Sequence, residues 1–201
     1  MKKVFALLIT ICSLGMSAFA QNGYKPGDAV TDFKLKNIDG KMVSLGGMKD
    51  AKGYIVVFTC NHCPYAKAYE DRIIALHQRN APEGYPVVAI NSNDPKAAPD
   101  DSYAKMKERA SEKKFPFVYL YDESQEIAKR FGAVRTPHVY LVQKSGDKMT
   151  VAYIGAIDDN WEDPVAAGKT YVQDAVNNLK AGQPVAVSET KAIGCTIKWK
   201  K

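Results

Sequence analysis

Long apolar runs are scarce in this 201-residue chain. Beyond the extreme N-terminus none reaches the roughly 18 residues that a bilayer-spanning helix requires. Cysteine is scarce as well: four in this length are too few for a disulfide-stapled miniprotein. No strong excess of one charge exists, with 28 basic residues against 22 acidic ones, and the basic residues are spread out apart from a small tail of Lys198, Lys200 and Lys201. A nucleic-acid partner is therefore not indicated. Internal repeats, low-complexity segments and an interdomain linker are also lacking. With 46% hydrophobic and 25% charged residues and a mean hydropathy of −0.29, the chain has ordinary globular proportions. Disordered, collagen-like and coiled-coil readings fall away, and the length suits one domain with a real core.

The first twenty residues read as an address. Lys2 and Lys3 open it, residues 4–11 are apolar except for Thr10, and Ala18-Phe19-Ala20 has the small-x-small pattern of a processing site. A secretory signal peptide over residues 1–20, cut before Gln21, is the expectation. The competing reading, an N-terminal anchor, is opposed by the short apolar run, and a lipid on Cys12 by the bulky Ile11 before it. Cleavage leaves 181 residues, a net charge of +4, no stable membrane span, and three cysteines, Cys60, Cys63 and Cys195. The expected location is extracytoplasmic, such as a bacterial periplasm. There an odd cysteine count allows one internal bridge and leaves one thiol to react, ligate or pair elsewhere.

Residues 21–201 show strands alternating with helices. Apolar residues around Asp39-Gly40 predict an N-terminal hairpin. The β-branched run 54–58 predicts a central buried strand, and it leads into Cys60-Asn61-His62-Cys63-Pro64. Tyr65, Tyr69, Ile73 and Leu76 then recur at helical spacing, with Pro64 suited to the first turn. Further strands are expected at 86–90, 117–121, 138–142 and 149–154, the last two as a second hairpin. Helices are expected at 99–114 and 124–131 and along 171–179; residues 183–201 show no periodicity. The pattern is α/β with a mixed sheet. Chemistry in such sheets gathers at the carboxyl ends of strands, where Cys60 falls.

The Cys60/Cys63 pair carries the strongest chemical signal. A cysteine where a strand hands over to a helix faces unsatisfied N–H groups and the positive end of the helix dipole, which favours thiolate. Cys63, about one helical turn on, is near enough to resolve a mixed disulfide. The expectation is that Cys60 attacks, Cys63 resolves, and His62 adds a positive charge or a donor. A structural disulfide, half a zinc site completed by Cys195 and a histidine, and a copper site with His138 are the alternatives. No second Cys-x-x-Cys is present.

Residues 58–64 (Phe-Thr-Cys-Asn-His-Cys-Pro), 122–126, 131–138 (Phe-Gly-Ala-Val-Arg-Thr-Pro-His), 155–159 and the Gly-Cys-x-Ile-Lys-Trp ending at 194–199 together resemble the redoxin branch of the thioredoxin superfamily, in particular its peroxiredoxin-like group. The resemblance spans essentially residues 27–201. It implies a thioredoxin-like fold, a central mixed sheet flanked by helices, with an N-terminal hairpin and a helix–strand insertion at 99–121. It also implies a cis peptide at Thr136-Pro137 facing the cysteines and presenting a backbone edge to substrate thiols. Two departures weaken a peroxidase label: Thr59 adjoins Cys60, so Cys63-Pro64 is one residue out of the Thr-x-x-Cys-Pro register, and no arginine is assignable from sequence to the peroxide-binding role, Arg135 being merely a candidate near Pro137. The Trp-Cys-Gly-Pro-Cys of plain thioredoxins is absent too.

Cys195 reads either as a third redox thiol folding back on the pair or as a small buried hydrophobe among Ile193, Ile197 and Trp199. Asp158-Asp159 reads as a solvated turn, His77 as a surface or packing residue, and the Tyr65/Tyr69/Ile73 stripe as core. The functional expectation is an exported thiol:disulfide oxidoreductase with no organic cofactor and no metal, serving thiol or disulfide client proteins and an external electron donor. The rivals are a peroxiredoxin-like thiol peroxidase, a copper or zinc chaperone using Cys60, Cys63 and Cys195 or His138, and an idle binding module.

Overall fold

The computed structural model describes residues 23–201. The expected signal peptide, and Cys12 with it, lie outside the described residues. Strand β1 (Lys34–Asn37) and strand β2 (Met42–Ser44) form the N-terminal hairpin. Its turn is closed by Gly40, whose φ of 85° suits a residue without a Cβ. Strand β3 (Gly53–Phe58) follows, then helix α1 (Pro64–Asn80) and strand β4 (Val87–Asn91).

The segment expected as one helix from 99 to 114 is in two parts. A single 3₁₀ turn, Pro99–Asp101, precedes helix α2 (Tyr103–Lys113), because Ser102 is extended between them. Strand β5 (Val118–Tyr121), helix α3 (Glu126–Phe131), strand β6 (Arg135–Thr136), strand β7 (His138–Ser145) and strand β8 (Lys148–Gly155) come next. Helix α4 (Tyr171–Lys180) and strand β9 (Cys195–Thr196) complete the chain. Seven strands make one mixed sheet in the order β2-β1-β5-β4-β3-β7-β8. Within it β3, β4 and β5 are parallel, and β1 and β7 run antiparallel to their neighbours.

Strand β3 is buried at all six positions because it has strands on both edges and packed layers on both faces. Tyr54, Val56 and Phe58 meet one core with Phe131 of α3 and Tyr140 of β7. Ile55 and Val57 meet the other, with Ile73 and Leu76 of α1, Met106 of α2, and Val172 and Val176 of α4. The alternation is the period-2 geometry of a strand read twice. Phe131 sits at an aromatic hub, its ring centroid 5.0 Å from Tyr24, 5.4 Å from Phe58 and 5.1 Å from Tyr140, all edge-on. Such pairs contribute about 0.5–1.5 kcal/mol each beyond burial. No helix among the described residues is long and apolar enough to cross a membrane.

The aperiodic C-terminal stretch acquires order from partners elsewhere. Ile154 donates to Ser188 O at 3.0 Å and accepts from Thr190 N at 2.9 Å. Farther on, β9 pairs antiparallel with β6, Thr136 opposite Cys195 and Arg135 opposite Thr196. Lys198 N then donates to Asn93 Oδ1 at 2.8 Å, and Lys198 O accepts from Asp94 N at 2.8 Å and Gln125 Nε2 at 2.8 Å. None of these pairings is local, so no local periodicity announces them.

Candidate active site

The loop from β3 to α1 holds two of the three described cysteines. Cys63 occupies the N-cap of α1, with extended backbone and Pro64 behind it, and its carbonyl accepts the first helical bond from Lys67 N at 2.9 Å. Proline at that point has no N–H to leave orphaned and a φ already suited to a helix. Cys60 lies three residues earlier, at the carboxyl end of β3, and only 3% of it is exposed.

Cys63 and Cys195 are joined in a disulfide that closes 132 residues of chain, with Cα atoms 6.2 Å apart. Cys60 is a free thiol. The bridge that is closed is thus not the Cys60–Cys63 pair expected from the spacing. Cys195 is a half-buried partner in that bridge. A small β9 pairing and the disulfide reinforce each other: Thr136 lies directly opposite Cys195 and also touches both sulfurs of the loop. Cys60 Sγ donates to Thr136 Oγ1 at 3.2 Å, and Cys63 Sγ lies 3.4 Å from Thr136 O. A disulfide sulfur has no hydrogen, so the latter contact becomes a donor only on reduction. The Thr136–Pro137 peptide is cis.

The expected thiolate character of Cys60 is reversed. Burial, first, and the neighbouring Asp101 charge, second, push its thiol up to about 11. The Thr136 contact and the backbone N–H groups of Cys63 and His62 act in the opposite, lowering sense and lose. The helix terminus favours the thiolate of the N-cap residue, Cys63, rather than that of the residue three places before it.

Asp101 is the group the sequence reasoning missed. Fully buried, it accepts from Asn61 N at 2.7 Å and His62 N at 3.2 Å through Oδ1, and from His62 Nδ1 at 2.5 Å and Asn93 Nδ2 at 2.6 Å through Oδ2. Asn91 Nδ2 donates to its carbonyl at 2.8 Å. Five bonds therefore bind the Cys-Asn-His-Cys loop to the inserted 3₁₀ turn and the end of β4. The only hints were a polar run after β4 and a second aspartate after Pro99. His62 is turned towards Asp101, and donor atoms of Cys60, His62 and Asp101 all lie within 4.8 Å of one another. That is the one grouping among the described residues with metal-ligand chemistry. Neither Cys195 nor His138 belongs to it: Cys195 packs beside Cys60 and Cys63 but is held with Cys63 in the disulfide.

Around the back of Cys60, Asn61 Oδ1 accepts from Tyr119 OH at 2.9 Å. Behind that, Glu70 is held by Arg109 through two bonds of 2.8 and 2.6 Å. The space among Thr59, Cys60, Phe115, Phe117 and Tyr119 is about 10 Å³, room for about one water and no substrate. On the opposite side the tail strand β9 covers the sulfurs. Arg135 lies on that side, and its Nη1 donates to Gly194 O at 3.2 Å.

Other candidates resolve into structure. His138 is buried beside Tyr140, ring centroids 4.8 Å apart, and its Nδ1 has no hydrogen-bond partner. Burial lowers its pKa to about 4. Asp158 is not in a solvated turn: it is buried, accepting from Tyr69 OH at 2.8 Å and Arg72 Nη1 at 2.6 Å, so a half-buried cation already satisfies it. Tyr69 and Ile73 are core, as expected, while Tyr65 is half-buried against Trp161. His77 accepts from Val87 N at 3.2 Å and packs on Phe117.

The sequence model of the AhpC/TSA family matches residues 26–153. Among solved structures, an uncharacterized conserved protein of Geobacillus kaustophilus is 36% identical with a TM-score of 0.81, covering 89% of this chain and 94% of its own. A hypothetical protein of Sinorhizobium meliloti 1021 is 30% identical with a TM-score of 0.79, covering 89% and 97%. The peroxidoxin BcpB of Mycobacterium tuberculosis shares the fold, at 16% identity, a TM-score of 0.58 and coverage of 78% and 97%. No curated protein sequence matches the chain.

Proposed function

The chain belongs to the AhpC/TSA family, and from that premise we propose that it is a thiol:disulfide oxidoreductase that meets its clients at Cys63 and resolves them with Cys60. The observation that carries this reading is the Cys63–Cys195 bridge lying against Thr136, with a free Cys60 beside it. The sulfur that already accepts an outside strand's cysteine is the one at the helix N-cap. These are the two cysteines singled out from the sequence, with their roles exchanged.

An external dithiol gives two electrons and two protons to the Cys63–Cys195 bridge and leaves as a disulfide. The Cys63 thiolate attacks a client disulfide, forming a Cys63–client bond and expelling the client's second sulfur as thiolate. Cys60 then attacks Cys63 Sγ, forming Cys60–Cys63 and releasing the client as a thiol. Cys195 attacks Cys63 in turn, which regenerates the closed bridge and the Cys60 thiol. Cys60 must lose a proton to act. The base placed for this is His62, whose ring Asp101 holds through Nδ1.

The secretory start read at residues 1–20 puts this exchange in an oxidising compartment, where a closed bridge persists. Clients there are protein thiols or disulfides, and the donor is a dithiol. Trapping tests the assignment. The Cys60→Ser/Cys195→Ser double variant should accumulate mixed disulfides with clients through Cys63, because no thiol is left beside it to resolve them. Adducts on Cys60 in the Cys63→Ser variant would reverse the roles, and adducts on neither would end the proposal.

One observation favours a second reading, thiol peroxidase. Peroxide would oxidise a Cys63 thiolate to sulfenic acid, releasing water or alcohol, and attack by Cys195 would expel a second water and leave the Cys63–Cys195 bridge seen here. Rapid, stoichiometric formation of that bridge from reduced protein and one equivalent of peroxide favours peroxidase. Rates like those of a free thiol favour disulfide exchange.

A further inference from the structure

Strand β6 is two residues long and immediately precedes Pro137; its partner is not part of the main sheet but the chain's own tail. That tail makes an antiparallel pair with Arg135 and Thr136, presents a cysteine opposite Thr136, and bonds that cysteine to Cys63. Ile197 N donates to Val134 O at 3.3 Å, and the Ile197 side chain is buried in the core beside α3. Gly194, just before the cysteine, lies so close to the Thr136 carbonyl that an added Cβ would collide with its oxygen and sit 2.7 Å from its carbon.

We propose that residues 194–197 are a built-in substrate mimic: they occupy the groove that a client strand takes, and their sequence states what that groove accepts. The substrate class is a polypeptide disulfide in an extended segment, with glycine directly before the reactive cysteine and an apolar residue two places after it. This rests on the exchange reading above. Main-chain pairing with β6 supplies register, the contact at Gly194 excludes side chains, and the Ile197 pocket supplies the apolar contact, the division of labour found in β-strand addition. The tail also regulates: while it is bonded, no client sulfur can reach Cys63.

The tail need not leave altogether when the bridge is reduced. On one side Thr190 Oγ1 accepts from Ala156 N at 3.0 Å, and on the other Lys200 N donates to Gln125 Oε1 at 2.7 Å. Neither anchor contains sulfur. Only the short clip between them has to lift, so a client competes with a tethered rival rather than with a lost one.

The test uses the full chain with Cys195→Ser, reduced with dithiol and then freed of it. Peptides copying residues 192–200 carry their cysteine as a mixed disulfide with nitrothiobenzoate. Attack by Cys63 on the peptide sulfur releases the coloured thiolate, and Cys60 then frees the peptide. Replacing the glycine before the cysteine by valine should slow release at least about tenfold, the scale of an overpacked contact. Replacing the apolar residue two places after it by aspartate should slow it too. Equal rates for all peptides overturn the mimic while leaving the exchange reading intact. Failure of every disulfide, oxidised glutathione included, overturns the exchange reading itself. In the same background Gly194→Val should dislodge the tail and speed reaction with oxidised glutathione; an unchanged rate in a folded variant also overturns the mimic.

Discussion

With the Cys63–Cys195 bridge closed, Cys60 should be among the least reactive free thiols a protein can carry, and the size of the effect follows from its surroundings. Its thiol is pushed up to about 11 by burial and by the Asp101 charge. At pH 8 a group with that pKa is about 0.1% thiolate, against about 24% for an ordinary thiol near 8.5, a factor of about 200 before steric shielding is counted. The assay is pulsed alkylation by iodoacetamide of the oxidised chain, without reductant, read by mass on the peptide containing Cys60. The rate should keep climbing about tenfold per pH unit through pH 10, where an ordinary thiol has flattened. The sign of the Asp101 contribution is testable in the same assay. Asp101→Asn removes a charge that raises the Cys60 pKa, so alkylation at pH 8 should become faster. A profile that levels off near pH 9, or a rate at pH 8 matching glutathione, would refute the reasoning that burial outweighs the loop's N–H donors.

Opening the Cys63–Cys195 bridge frees 132 residues of constrained chain, so Cys195→Ser should lose about 2–4 kcal/mol in denaturant unfolding of the oxidised protein; reduced wild-type protein should match the variant. His138 has a folded pKa of about 4 against an ordinary 6.5, so the unfolded chain binds more protons between those values. Stability should rise with pH across the window from 4 to 6.5, by about 3 kcal/mol at most, and His138→Gln should flatten that slope in unfolding measured at a series of pH values. Arg109→Ala leaves the buried Glu70 without its two-pronged partner. It should cost about 3–5 kcal/mol in unfolding free energy, and Glu70→Gln in the same background should recover part of it.

The fold was legible wherever pattern is local. The run 54–58, the helical stripe through Tyr69 and Ile73, and the turn at Asp39-Gly40 each identify their element from neighbours within a few residues. The site was legible as residues but not as a state. A Cys-x-x-Cys spacing shows that two sulfurs are near each other, yet it says nothing of which third group arrives from 132 residues away. The helix dipole acts on the exact N-cap, which is Cys63, and three positions earlier, at Cys60, burial leaves the thiolate suppressed rather than favoured. Asp101 was hidden for a related reason. Its carboxylate matters because Ser102 breaks the expected helix and aims the preceding turn at the loop, and no periodicity encodes that. Asp158 looked solvated because nothing near it in sequence pairs with it; Arg72, one α1 turn beyond Tyr69, does.

Why keep three sulfurs where two suffice for exchange? A resolving thiol as suppressed as Cys60 forms its bond to Cys63 slowly, so a Cys63–client disulfide would linger. Cys195 stands on a tether fixed at both ends by bonds that survive reduction, and a tethered group of that kind acts at millimolar effective concentration. It therefore competes with clients at micromolar concentration by about a thousandfold unless they fit the groove better than a random strand. On the proposed reading, chains lacking the glycine-cysteine geometry would lose that contest and leave Cys63 closed. In the exchange proposed above, the low reactivity of Cys60 and the high local presence of Cys195 act in the same direction, and together they would make fit to β6, rather than thiol reactivity, the quantity that decides which disulfide is exchanged.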